Sequence, residues 1–284
     1  MTLDIPASWA WSAAKIVQHK WRKVLVIGDV DVGKSTYCGF LSDQLIAAGR
    51  RVAMVDADVG QKAIGPPGTI TLGYPTASGG IADLQPAAWY FVGSVSPIGH
   101  LLPIVVGTKQ LVEAAQSAVV VINTTGFIHG PGEVLKGYKI DAVQPDVIVA
   151  ITRGAELQPL IQAYRHYRIL RIRPSGRAVR KTSEQRRNAR ETAFRNYFQT
   201  AQEVVLPTRQ LIFQRCVGSP DLSPYQLCGV ADRRNRGLGL ALVAPTHTPG
   251  ESLSLLTPVA ASTIRLVQIG NLYLHPDGQE RGRR

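Results

Sequence analysis

Eight consecutive residues, Gly28, Asp29, Val30, Asp31, Val32, Gly33, Lys34 and Ser35, fit the pattern G-x-x-x-x-G-K-[ST], and Thr36 follows them. The spacing suits phosphate capture. A glycine-rich turn aims backbone N–H groups at an anion, the lysine reaches the β and γ phosphates, and the serine hydroxyl ligates magnesium. ATP or another nucleoside triphosphate, with Mg2+, is therefore the first ligand to expect on residues 28–36. Further on, Asp56 and Asp58 stand two apart where an apolar run ends. In extended chain such a pair points to one side, so one carboxylate can hold the metal while the other accepts the proton of an attacking hydroxyl.

These groups need a frame. Residues 24–28 read as a buried parallel strand, and 35–48 carry apolar residues at helical spacing up to Gly49. Alternation continues, with strands expected at 24–28, 51–56, 88–93, 118–124, 146–152 and 168–173 and helices at 35–48, 101–117, 133–143, 156–167 and 183–198. That pattern predicts an α/β fold, a P-loop NTPase parallel sheet with helices on both faces and chemistry at the carboxyl ends of its strands. Beyond residue 204 the pattern breaks into short β-like pieces at 210–214, 239–243, 252–257 and 263–269, a small C-terminal β subdomain with a frayed tail at 280–284. The expected division is a helical extension over 1–22, a nucleotide-binding domain over 23–203 with a lid-like helix near 183–198, and the β-rich part over 204–284.

Composition narrows the setting. The chain has 284 residues, 45% of them apolar, and a net charge of +12. No apolar run approaches the roughly 20 residues of a membrane span, residues 9–17 are too short and mixed for a secretory signal, and no membrane partner is expected. Cys38, Cys216 and Cys228 lack metal-ligand spacing, as do the six histidines, and point to a reducing cytoplasm. The charge is concentrated: between Arg165 and Arg195 ten arginines and one lysine face two glutamates, supplying +9. Arginine in place of lysine favours bidentate phosphate recognition, hence a nucleic-acid partner, although a solvated helix face has the same composition.

Five segments then align with one family. Asp31-Val32-Gly33-Lys34-Ser35-Thr36, Asp56-Ala57-Asp58-Val59-Gly60-Gln61 with Gly65-Pro66-Pro67-Gly68-Thr69, Gly93-Ser94-Val95-Ser96-Pro97, Asn123-Thr124-Thr125-Gly126-Phe127-Ile128-His129-Gly130, and Arg186-Arg187-Asn188-Ala189-Arg190 resemble, in order and spacing, the polynucleotide 5′-hydroxyl kinases of eukaryotic tRNA and rRNA processing. The likeness covers about residues 23–200, as a short form without the N-terminal β domain of those kinases. It implies transfer of the γ-phosphate of ATP to the 5′-hydroxyl of RNA or DNA. By the same resemblance Lys34 steadies the transferred group, and Ser35 with Ser94 or Ser96 organises magnesium. Asp58 serves as base and Asp56 as a metal partner, roles that exchange readily between the two. Arg186 and Arg190 form a lid pair on one helix face. Phe127, where the family usually has tryptophan, stacks on a base in a clasp loop with Thr125 and Gly126, unless it is simply a core phenylalanine, and Gln61 contacts the substrate. Two other readings stay open. A small-molecule kinase would need the loop and the acids without the basic field, and a nucleotide-switch ATPase normally carries an extra lysine where Asp29, Val30 and Asp31 stand.

Overall fold

In a computed structural model of the chain, residues 4–76, 84–216, 222–245 and 250–282 are described. They form two compact units. The first comprises residues up to Asp58, Thr71–Ala87 and Leu101–Lys181, and the second Val59–Ile70, Ala88–His100 and the chain from Thr182 onward.

The first unit is built on near-continuous apolar strands, which only a sheet covered on both sides can bury. They are β1 (Lys23–Gly28), β2 (Val52–Ala57), β3 (Thr69–Pro75, entering this unit at Thr71), β5 (Val119–Thr124), β6 (Val147–Ile151) and β7 (Ile169–Ile172), with β4 (Leu84–Phe91) between β3 and β5 in the chain. Their order is β3-β2-β5-β1-β6-β7. Strands β2, β5, β1, β6 and β7 run parallel, with Asp56 opposite Asn123. Strand β3 runs antiparallel, placing Thr71 opposite Asp56. Two expectations are corrected here. The sheet is mixed rather than parallel throughout, and the strand expected at 88–93 is β4, which pairs antiparallel through Trp89 with Gly237 of the second unit's own sheet. The segment Thr69–Pro75, broken by Thr69, Thr71, Gly73 and Pro75, holds no continuous apolar run to announce it.

Helices α1 (Ala7–His19), α2 (Lys34–Ala47), α3 (Leu101–Ala114), α4 (Pro131–Val143) and α5 (Gln158–Ala163) complete this unit. The N-terminal helix is part of its core. Trp9 is fully buried, its ring edge-on to Tyr37 of α2 at 5.2 Å, and its indole N–H donates to the Arg173 carbonyl at 2.8 Å. Ser12 Oγ meets the Tyr37 hydroxyl at 2.8 Å, so α1 braces the helix that begins at the phosphate loop.

The second unit joins helix α6 (Ser183–Phe198) to β8 (Gln202–Pro207), β9 (Ile212–Arg215), β10 (Gln226–Ala231), β11 (Gly237–Val243), β12 (Ser252–Thr257), β13 (Leu266–Leu274) and β14 (Glu280–Gly282). The helix starts at a full capping box between Thr182 and Gln185. Its only buried side chains, Phe194 and Phe198, pack with Leu227, Leu240, Leu242 and Leu272. The expected C-terminal fraying is corrected for Glu280–Gly282, which pairs with Tyr273 and Leu274 of β13; residues 283–284 lie outside the described residues.

Candidate active site

The phosphate loop leaves β1 and enters α2 at Gly33, whose φ of +86° is a conformation that favours glycine. Lys34 is buried, and its Nζ donates to the Asp29 carbonyl at 2.6 Å. Burial pulls its pKa below the ordinary lysine value, and the nearby Asp58 and Asp29 carboxylates oppose that shift. The two loop acids are engaged within the first unit. Asp29 Oδ1 accepts from the Val30 N–H at 2.7 Å, and Asp31 Oδ2 from the Lys181 N–H at 2.9 Å.

Strands β2 and β5 deliver the next residues from adjacent ends. Asp56 is fully buried, and its Oδ1 accepts from Asn123 Nδ2 at 3.0 Å and from the Asp58 N–H at 3.2 Å. The same Asn123 amide donates to Ser35 Oγ at 3.1 Å. Asn123 thus gathers Ser35 and Asp56 into one oxygen cluster, a donor set that suits a hard divalent cation such as magnesium. Among the described residues no group of three or more His, Cys, Asp or Glu assembles into a metal cage. A site supplied by one hydroxyl and one or two carboxylates fits a metal that keeps waters and phosphate oxygens as its other ligands.

The loop after β5 rests on the phosphate loop. A methyl group added at Gly126 would stand 2.6 Å from Val30 Cα and 2.7 Å from Val30 N, so glycine alone permits this approach. Thr125 Oγ1 accepts from the Phe127 N–H at 3.3 Å. Phe127 lies against Gly132 at the start of α4 and is half-buried, whereas its neighbour Ile128 enters the core.

Two residues absent from the sequence reading stand beneath these loops. Lys136 and Lys139 of α4 are both completely buried. Lys136 Nζ donates to the Thr125 carbonyl at 2.6 Å, and Lys139 Nζ to the Ala57 carbonyl at 3.4 Å. Burial, reinforced by Lys139 and Lys34, holds the Lys136 pKa well below the usual lysine range, with Asp58 pulling the other way. The signal was in the chain: residues 136, 139, 140 and 143 share one helical face, so both lysines occupy an apolar stripe.

Gln61, Ser96, Arg186 and Arg190 belong to the second unit. Gln61 Nε2 donates to the Arg186 carbonyl at 3.2 Å, tying the segment after Asp58 to α6. Ser96 Oγ accepts from the Ile98 N–H at 3.3 Å. Arg190 makes a bidentate pair with Glu280, Nε to Oε1 at 2.5 Å and Nη2 to Oε2 at 2.9 Å. The structure therefore brings Lys34, Ser35, Asp56, Asp58, Thr125, Gly126 and Phe127 into the first unit and gives Arg190 a carboxylate partner within the second.

Residues 28–200 match the family model described as the mRNA cleavage and polyadenylation factor CLP1 P-loop. A polyribonucleotide 5′-hydroxyl-kinase of Pyrococcus abyssi is 31% identical, the match covering 99% of this chain and 96% of that protein. One from Pyrococcus horikoshii is 38% identical over 74% of this chain, a match that spans 59% of that protein's length. The polyribonucleotide 5′-hydroxyl-kinase Clp1 of Gallus gallus is 29% identical over 62% of the chain and 45% of its own length. A solved wild-type Clp1p–Pcf11p complex superposes with a TM-score of 0.68, covering 93% of this chain and 77% of that one at 13% identity, a likeness of fold alone.

Proposed function

Since the chain belongs to the CLP1 P-loop family, with an α/β P-loop NTPase fold, we propose that it is an ATP- and Mg2+-dependent polynucleotide 5′-hydroxyl kinase that transfers the γ-phosphate of ATP to the 5′-OH end of RNA or DNA. The observation that carries this reading is the buried Lys34 of a phosphate loop whose Ser35 is tied through Asn123 to the buried Asp56, with the loop at Gly126 resting on Val30. That arrangement supports a phosphate cradle with carboxylate oxygens next to it, and Phe127, half-buried, follows on the same loop as Gly126. The curated relatives named above as polyribonucleotide 5′-hydroxyl-kinases support it.

On this reading each residue has a physical task. The N–H groups at the start of α2 and the Lys34 ammonium hold the β and γ phosphates, concentrating positive charge where the transferred group becomes most anionic. Ser35 and Asp56, fixed by Asn123, would hold magnesium, which when bound neutralises phosphate charge. Asp58 accepts the proton of the attacking 5′-hydroxyl. Phe127 stacks on the terminal base, worth about 1–3 kcal/mol for a fully stacked ring, while Thr125, Gly126 and Gln61 contact the sugar or first phosphate. Arg186 and Arg190, four apart and so on one side of α6, serve as lid cations, and Ser96 assists the metal. Residues 23–203 would carry this machinery, with 1–22 as a helical extension and 204–284 as a β-rich appendage.

We assign a reducing cytoplasm as the setting, the reading that three cysteines without metal-ligand spacing suggest; no helix among the described residues is long and apolar enough to cross a membrane. The decisive experiment offers γ-labelled ATP and matched RNA and DNA oligonucleotides with 5′-hydroxyl ends. Label on the 5′ end is expected; label in neither acceptor would overturn the proposal.

A further inference from the structure

Helix α4 begins at the loop that carries Phe127, and its exposed side leads to a cluster of rings. Tyr138 is 58% exposed. Beside it, the Tyr164 hydroxyl lies over Gly137 and donates to Asp141 Oδ2 at 3.0 Å. Tyr164, His166 and Tyr167 then pack on one another, with centroid separations of 6.1 Å for Tyr164 to either partner and 4.7 Å between His166 and Tyr167. The residues between and after these rings are Arg165 and Arg168, both exposed, followed by exposed Arg171 on the edge strand β7. All of these residues belong to the first unit.

Rings interleaved with arginines are the two components of single-strand recognition. The π-faces stack on bases of any identity, and the guanidinium groups meet the phosphates between them. Tyr138 lies about 10 Å along the helix axis from Pro131, the length of a few nucleotides at about 3.4 Å each. A core role explains Tyr164, whose hydroxyl is satisfied by Asp141, but leaves the exposed Tyr138 and His166 unexplained. We propose that Tyr138, His166 and Tyr167, with Arg165 and Arg168, form a platform for the body of a single-stranded polynucleotide, downstream of the 5′ end held at Phe127. The platform rests on the reading of the chain as a polynucleotide 5′-hydroxyl kinase and adds a length preference to it.

The test compares kcat/KM for a 5′-hydroxyl dinucleotide and a strand of about twelve nucleotides with the same 5′ sequence, within the 4–16 nucleotides that such surfaces span. The wild type is expected to prefer the longer acceptor. Tyr138→Ala should shrink that preference about 5- to 100-fold, the loss of one stacked base. Arg165→Ala with Arg168→Ala, substitutions on the surface, should flatten the salt dependence of twelve-nucleotide binding measured by fluorescence anisotropy. Wild-type length preference and salt slope in both variants, with unchanged thermal unfolding, would overturn the platform, as would a wild type indifferent to length. Failure of the wild type to phosphorylate either acceptor would instead overturn the proposed activity, and the anisotropy measurements would still decide the platform.

Discussion

Arg190 has two possible jobs, and its partner Glu280 separates them. The pair is bidentate, and the two side chains are only 17% and 12% exposed. Arg187 donates to the Glu280 carbonyl and the Glu280 N–H donates to Glu191, so β14 is stapled to α6 at three points. Removing one member of a fully buried pair costs about 3–5 kcal/mol, and an exposed pair contributes at most about 1 kcal/mol. For these exposures a loss of about 2 kcal/mol is expected from either Arg190→Ala or Glu280→Ala, a fall in Tm of about 3 °C at this chain length. The double variant should lose less than the sum, because the second truncation removes a charge that has already lost its partner. Kinetics then discriminate. If Arg190 stabilises the transferring phosphoryl group, Arg190→Ala lowers kcat by about 100-fold, the scale of one lost electrostatic contact, while Glu280→Ala keeps the guanidinium and retains most of the rate. Steady-state transfer of labelled phosphate to a 5′-hydroxyl oligonucleotide, run alongside thermal unfolding, reads both effects. Equal kcat losses in the two single variants would refute the lid role and leave Arg190 a pin between α6 and β14.

Lys34→Ala should abolish transfer with the fold intact by circular dichroism, and Asp58→Asn should lower kcat by about 10²–10⁴-fold as a general base is lost; near wild-type turnover in Asp58→Asn would return the base role to Asp56. Gly126→Ala drives a methyl to 2.6 Å from Val30 Cα, an overpacking of about 1–3 kcal/mol, so ATP affinity measured by calorimetry should weaken about 5- to 100-fold unless the clasp loop absorbs the strain. Lys136 binds its proton less readily when folded than the ordinary value of 10.5, so between the two values the unfolded chain holds more protons and stability rises with pH. Lys136→Met should therefore show a smaller increase in urea midpoint between about pH 7 and 9.5 than the wild type; an identical slope would mean that Lys136 does not titrate in that window.

The phosphate loop was legible because its chemistry is local: two glycines, a lysine and a hydroxyl at fixed offsets between a buried strand and a helix. The position of Asp56 and Asp58 at the end of β2 was legible for the same reason, as were the parallel strands, whose apolar runs admit no other burial. What sequence concealed depends on contacts between distant segments. Glu280, ninety residues from Arg190, offers no sign of their pairing. Asn123 carries no evident task in the sequence, yet the β2–β5 register sets it opposite Asp56, where its amide donates to both Asp56 Oδ1 and Ser35 Oγ.

Lys136 and Lys139 show most clearly how a default assumption hides a site. Lysine is almost never fully buried unless its ammonium finds partners, so a helix rich in glycine and lysine reads as a polar surface. Position overrides type here. The stripe formed by residues 136, 139, 140 and 143 faces inward, and each lysine inserts its Nζ beneath a carbonyl: Thr125, where β5 ends, and Ala57, where β2 ends. Those are the two strand ends from which Phe127 and Asp58 emerge. A buried donor on a carbonyl fixes the backbone more firmly than an exposed one, because losing the bond leaves an unsatisfied group that water cannot reach. The helix that begins just after Phe127 therefore turns back to anchor both exits at once, and the relative placement of the segments carrying Phe127 and Asp58 becomes a property of a single rigid element.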